Sequence, residues 1–281
     1  MKRAALLLCA ACASALHKPP PIESIAAAPR TGATQLLAEA DAAWARRAEP
    51  GQAAAAEGLY LQAARADPHR PESFAGAIRA KAFRLGREKD GAERLRLAQG
   101  AVQVGQLCEQ NAPAAPACDY WLAAALGLQA RERSATAKDA LPRMTHLLVR
   151  AARADPSIDH AGPHRLLATV LLRAPGWPLG PGDPEAALPE AQAAVRIAPD
   201  FAPNQLALGE ALRKNERAAE ARSAYSKALR LAMDGAAQDD PDAAGWAEEA
   251  RAALREVGIR HQASSATVTP AYPIPSSTSM T

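Results

Sequence analysis

Aromatic residues are scarce in this chain, with four Trp, four Tyr and three Phe among 281 residues. Few β-branched residues accompany them, so a large sheet lacks the side chains it is normally built from. Only four cysteines occur, and Cys108-x9-Cys118, with no histidine nearby, is not a zinc spacing. After the first residues no stretch approaches the ~20 apolar residues that a membrane-spanning helix requires. Charge of one sign is also missing. The formal net charge is +3, and without Lys2 and Arg3 the chain holds 31 basic against 30 acidic residues. That balance gives nucleic acid no electrostatic footprint to bind. No Ser/His/Asp set, paired-carboxylate arrangement or phosphate-cradling glycine loop stands out, and Gly180-x-Gly182 is too short and proline-rich to hold a nucleotide. Asp159, His160 and His164 could be read as a metal cluster, but Pro163 breaks the helix that would align the histidines, and no further strong ligand follows. The expectation is a non-enzymatic protein with no cofactor and no metal.

What the chain has instead is alanine, leucine and arginine, all strong helix formers. Four helical phrases close on a proline: Ala66-Asp67-Pro68, Asn111-Ala112-Pro113, Ala154-Asp155-Pro156 and Ile197-Ala198-Pro199, at intervals of 45, 43 and 43 residues. Proline has no N–H to donate and clashes with the preceding turn, so it stops a helix. A stop recurring at this period marks a solenoid of helical hairpins. The expected class is all-α, with about five hairpins and a capping helix in a repeat domain over 34–258.

The N-terminus reads as an export signal, with Lys2-Arg3 followed by apolar and small residues. Leu8-Cys9-Ala10-Ala11-Cys12 looks like a bacterial lipobox, giving a signal peptide over 1–11, lipid attachment at Cys12 and a proline-rich tether over 12–33. Ordinary cleavage after Ala15 is the competing reading. Residues 259–281 are Ser/Thr/Pro-rich and are expected to be a disordered tail. With Cys9 and Cys12 assigned to the N-terminus, Cys108 and Cys118 remain. They bracket a short Pro/Ala loop and are expected to pair in an oxidising compartment, two buried free thiols being the alternative. The run Arg79, Lys81, Arg84, Arg87 and Lys89 reads as a solvated helix face, offset by Glu88, Asp90 and Glu93.

The fifth hairpin, Pro203 to Met233, fits the tetratricopeptide pattern, with Leu208-Gly209, Ala221, Tyr225 and Ala228 at its leucine-glycine, small, aromatic and small positions. Ala56, Tyr60, Ala63 and Pro68 repeat its closing half. Residues 118–200 carry more: Asp119-Tyr120-Trp121-Leu122, then Gly162-Pro163-His164-Arg165, Ala174-Pro175-Gly176-Trp177-Pro178, Gly182-Asp183-Pro184 and Ala198-Pro199-Asp200. In this order they resemble the T-component family of TRAP transporters, tetratricopeptide-like lipoproteins, over roughly residues 40–235. The resemblance implies a lipid-anchored protein of the bacterial cell envelope, on the outer membrane and facing the periplasm. It implies association with a solute-binding P-component, a tendency to homo-oligomerise, and a cleft among the helices for small ligands. An outer-membrane scaffold for envelope assembly or peptide binding is the alternative.

Tyr120, Trp121, Arg165 and Trp177 are the candidate cleft residues. Arg165 either anchors the Pro/Gly loop through backbone carbonyls or grips a ligand carboxylate with its fork. The aromatic residues either fill the core or line the cleft, and Trp177 is a lid on a cleft or a plug under its loop. Gly162, Pro163, His164, Pro175, Gly176, Gly182 and Asp183 are expected to be structural, with Pro163 opening a helix and Asp183 capping one.

Overall fold

Each of the four periodic prolines stands two residues beyond the end of a helix in the computed structural model, which describes residues 30–266, with side chains from 32 to 258. Helices α2 (Gln52–Ala66), α4 (Gly91–Asn111), α6 (Ala137–Ala154) and α8 (Pro184–Ile197) end just ahead of Pro68, Pro113, Pro156 and Pro199. A residue before proline is pushed out of the helical region. Asp67, Ala112, Asp155 and Ala198 accordingly leave it, at φ between −134° and −150°, while their N–H groups still donate to the carbonyl four residues back. The intervening helices are α1 (Arg30–Ala45), α3 (Pro71–Arg87), α5 (Pro116–Glu132), α7 (Ile158–Arg173) and α9 (Ala202–Lys214), followed by α10 (Ala218–Ala236) and α11 (Ala243–Ala266). The described residues thus form five helical hairpins and a final helix. The signal peptide, Cys12, the tether to residue 29 and the tail from 267 lie outside the described residues.

The chain divides into two compact units. The first takes in the described residues up to Ile158, together with Trp177–Pro181. In it consecutive helices pack in hairpins, and α3 also lies against α1 and α5, so the hairpins stack. Small residues set the spacing. A Cβ on Gly76 would come within 2.5 Å of the Tyr60 ring, one on Gly105 within 3.0 Å of Leu122, and one on Gly127 within 2.9 Å of Met144. Tyr60, Phe74, Ile78, Leu85, Leu122, Leu126, Leu147 and Leu148 are the large side chains buried between the helices. Cys108 near the end of α4 and Cys118 in the first turn of α5 form a disulfide across a sequence separation of 10.

The second unit comprises Asp159–Gly176 and the described residues from Gly182. Here α9 packs on α8, α10 and α11. Tyr225 lies against Gly209, where a Cβ would meet its ring at 2.5 Å, as the tetratricopeptide pattern requires. Leu206, Leu212, Ala221, Ala224 and Ala228 close the core around it.

Three local expectations need revision. Helix α1 begins at Arg30 rather than near Thr34, and α11 continues to Ala266 rather than ending at Gly258, because nothing between Ile259 and Ala266 is a helix breaker. The basic run of α3 is not a solvated face. Lys81 and Arg84 both reach Glu57 of α2, and the Lys81 and Glu57 side chains are only 12% and 10% exposed.

Candidate functional site

The fourth hairpin opens irregularly. Asp159, His160 and Ala161 lie in the left-handed region, at φ 50°, 55° and 65°, before the right-handed helix resumes at Gly162-Pro163. Each non-glycine residue there costs about 1–2 kcal/mol, so a left-handed turn of three must be held by its surroundings. Arg165 holds it from one turn further along. Its Nη1 donates to the carbonyls of Asp159 (3.0 Å) and His160 (3.1 Å), and its Nη2 to the Asp159 carboxylate (2.7 Å). Asn204 of α9 holds it from the other side. Its Nδ2 donates to the His160 carbonyl at 2.9 Å, and its Oδ1 accepts from Arg165 Nη1 at 3.0 Å.

The same Nδ2 also donates to the carbonyls of Ala194 and Ala198, the open end of α8. Asn204 is wholly buried, so its amide meets these carbonyls in the place of water. Above the turn the His160 ring stacks on Phe201 (4.4 Å between centroids), Arg165 lies 5.0 Å from the same ring, and Trp246 of α11 meets Phe201 edge-on at 5.4 Å. Arg165 is thus engaged in holding the backbone, and the carbonyls it grips are those of the left-handed turn. Sequence spacing does not single out Asn204, since Pro203-Asn204-Gln205 looks like an ordinary helix start. The only hint is an amide placed just after the helix stop Ala198-Pro199.

The loop between α7 and α8 is the second device. Gly182 N donates to the Pro175 carbonyl and Asp183 N to that of Leu171, both at 2.8 Å, and Gly176 and Gly182 form a bridge. A Cβ on Gly182 would stand 2.2 Å from the Ala174 carbonyl oxygen, so the neck of the loop closes only around glycine. Asp183 then caps α8, its Oδ1 accepting from Ala186 N at 3.0 Å, and His164 of α7 bonds Glu190 of α8 at 2.6 Å. Beyond the neck Trp177 is 90% and Leu179 80% exposed. The indole is not tucked beneath its loop; it projects from it.

Tyr120 and Trp121 belong to α5 in the first unit. Tyr120 is buried and Trp121 half-buried, with their rings edge-on at 4.9 Å. Beside them Asp119 is buried 3.1 Å from Arg150, and burial raises its pKa above the ordinary aspartate value although Arg150 opposes the shift. Asp159, His160 and His164 have separate engagements, with Arg165, Phe201 and Glu190. Among the described residues no three potential metal ligands converge, and no helix is long and apolar enough to cross a membrane.

No protein-family model matches the sequence, and no curated protein matches it. Among solved structures, a thermophilic TPR protein of Thermus thermophilus superposes with a TM-score of 0.53 at 22% identity, over 77% of this chain and 98% of that one. At that identity the likeness speaks for architecture. The chain has an all-α, tetratricopeptide-like helical-hairpin fold.

Proposed function

We propose that this chain is a non-enzymatic, lipid-anchored binding protein of the bacterial envelope, acting as the T-component-like accessory subunit of a TRAP-type uptake system. The reading draws on the ordered motifs of residues 118–200 and on the tetratricopeptide-like fold. The observation that carries it is the exposure of two large apolar side chains, Trp177 and Leu179, in the connection between α7 and α8. Exposing two large apolar side chains costs solubility and contributes nothing to the core. Such residues mark contact sites, and tryptophan is among the side chains that dominate binding energy. The partner on this reading is a periplasmic solute-binding protein. Cys12 supplies the membrane anchor, and residues 13–29 the tether.

Co-purification from detergent-solubilised envelope tests this. The full chain should bring down a solute-binding protein, Trp177→Ala/Leu179→Ala should lose it, and Cys12→Ala should release the chain from membranes. Capture of envelope-assembly proteins alone would favour the scaffold reading.

A further inference from the structure

Glu57 and Glu132 of the first unit have side chains only 10% and 11% exposed, and each draws on two cations. Glu57 takes Lys81 and Arg84, and Glu132 takes Arg94 with both of its carboxylate oxygens and Arg131 besides. Asp119, in the first turn of α5, is more deeply buried at 7% exposed. Among the described residues it is paired with one cation, Arg150 of α6, whose Nε stands 3.1 Å away. That arginine is itself 45% exposed, so water screens much of its attraction.

Helix α5 packs against α3, α4, α6 and the 3₁₀ turn Ser134–Thr136. Charge reaches Asp119 from two of these elements. From α4 comes Glu109, a like charge that is already taken by Arg143 at 2.6 Å. From α6 come Arg150 and His146. No charged group of α3 acts on Asp119, and the 3₁₀ turn carries none. A carboxylate taken out of water is stabilised only where a partner and further hydrogen bonds replace its hydration. Burial therefore raises the Asp119 pKa, with Arg150 opposing and Glu109 adding to the shift, whereas its arginines lower that of Glu132.

We infer that Asp119 and Arg150 form an acid-sensitive clasp between α5 and α6. A proton taken from solvent by the Asp119 carboxylate ends the ion pair and leaves a neutral carboxyl in the buried position. Arg150 then returns to water as an unpaired cation at the surface of α6. The hairpin stays folded, because a neutral carboxyl suits its buried position better than a charge does. What changes is the surface, where acid releases a cation that neutral pH keeps paired. The inference does not depend on the reading of the chain as a transport subunit.

The test is carboxyl ¹³C NMR of the full chain across a pH series, with the Asp119 signal identified by its loss in Asp119→Asn. Arg150 is followed through its Nε–H. The Asp119 carboxyl titrates above the ordinary aspartate value of 3.8, and the Arg150 Nε–H signal moves with the same midpoint. Arg150→Gln raises that midpoint further, because it removes the opposing charge, and Glu109→Gln lowers it. If Asp119→Asn fails to fold, the upward move in Arg150→Gln identifies the signal instead. Stability gives an independent readout. The folded chain holds this proton at pH values where the unfolded chain has released it. Relative to Asp119→Asn, the urea midpoint of the first unit in the parent therefore rises as pH falls through the folded pKa, and levels off below 3.8. An Asp119 midpoint at or below the ordinary value overturns the proposal. So does an Arg150 Nε–H that ignores the Asp119 titration, which would leave the pair a fixed packing contact.

Discussion

Asn204 is a single amide that holds three backbone carbonyls, those of His160, Ala194 and Ala198, inside the second unit. Replacing it by alanine leaves the Ala198 carbonyl without this donor, at about 1–3 kcal/mol for a buried group left unsatisfied, while Ala194 keeps the Ala198 N–H and His160 keeps Arg165. Asn204→Ala should therefore lose about 1–3 kcal/mol, read from urea unfolding, with the loss confined to the second unit. Tyr60 gives a residue-scale test by pH. Burial, aided by its bond to Asp41, raises its pKa from 10.0 to about 12. The folded chain then keeps a proton that the unfolded chain releases, so this contribution to stability is complete below pH 10 and is lost as pH rises through about 12. Spectroscopic titration of the parent against Tyr60→Phe should show one late tyrosinate missing from the variant. These roles were only partly legible. Tyr60 sat at a recognised aromatic position of the repeat. Asn204 and the left-handed turn at Asp159–Ala161 were hidden, because helix propensity and proline placement say nothing about which carbonyls a distant amide will satisfy.

At the scale of the element, the helix ends were the most readable part of the chain. Pro68, Pro113, Pro156 and Pro199 act through a local steric rule, and local rules do not depend on the rest of the fold. The hairpin count followed from them. The pairing of basic residues did not, since Lys81 and Arg84 find Glu57 on another helix and sequence spacing within α3 suggested only a surface. The α4–α5 junction can be tested through its disulfide. Closing a loop of sequence separation 10 is worth about 3 kcal/mol in the chain-entropy model. Reduction, or Cys108→Ala/Cys118→Ala, should lower the stability of the first unit by about that amount in urea unfolding. Thiol labelling of the unreduced, denatured chain should leave both cysteines unmodified.

For the whole molecule, the near balance of charge leaves recognition to local features rather than to a global field. One such feature is the exposed pair Trp177 and Leu179 between α7 and α8. The loop was visible in the sequence as a Pro/Gly interruption between helices, but its neck was not, since its closure requires Gly176, Gly182 and Leu171 to meet in three dimensions. The most direct measurement is photo-crosslinking in living cells, with a photoreactive phenylalanine derivative in place of Trp177. The account predicts a discrete adduct with a periplasmic solute-binding protein, absent when the photoreactive residue is moved to the surface of α10. Adducts with envelope-assembly proteins alone, or none from position 177, would contradict it.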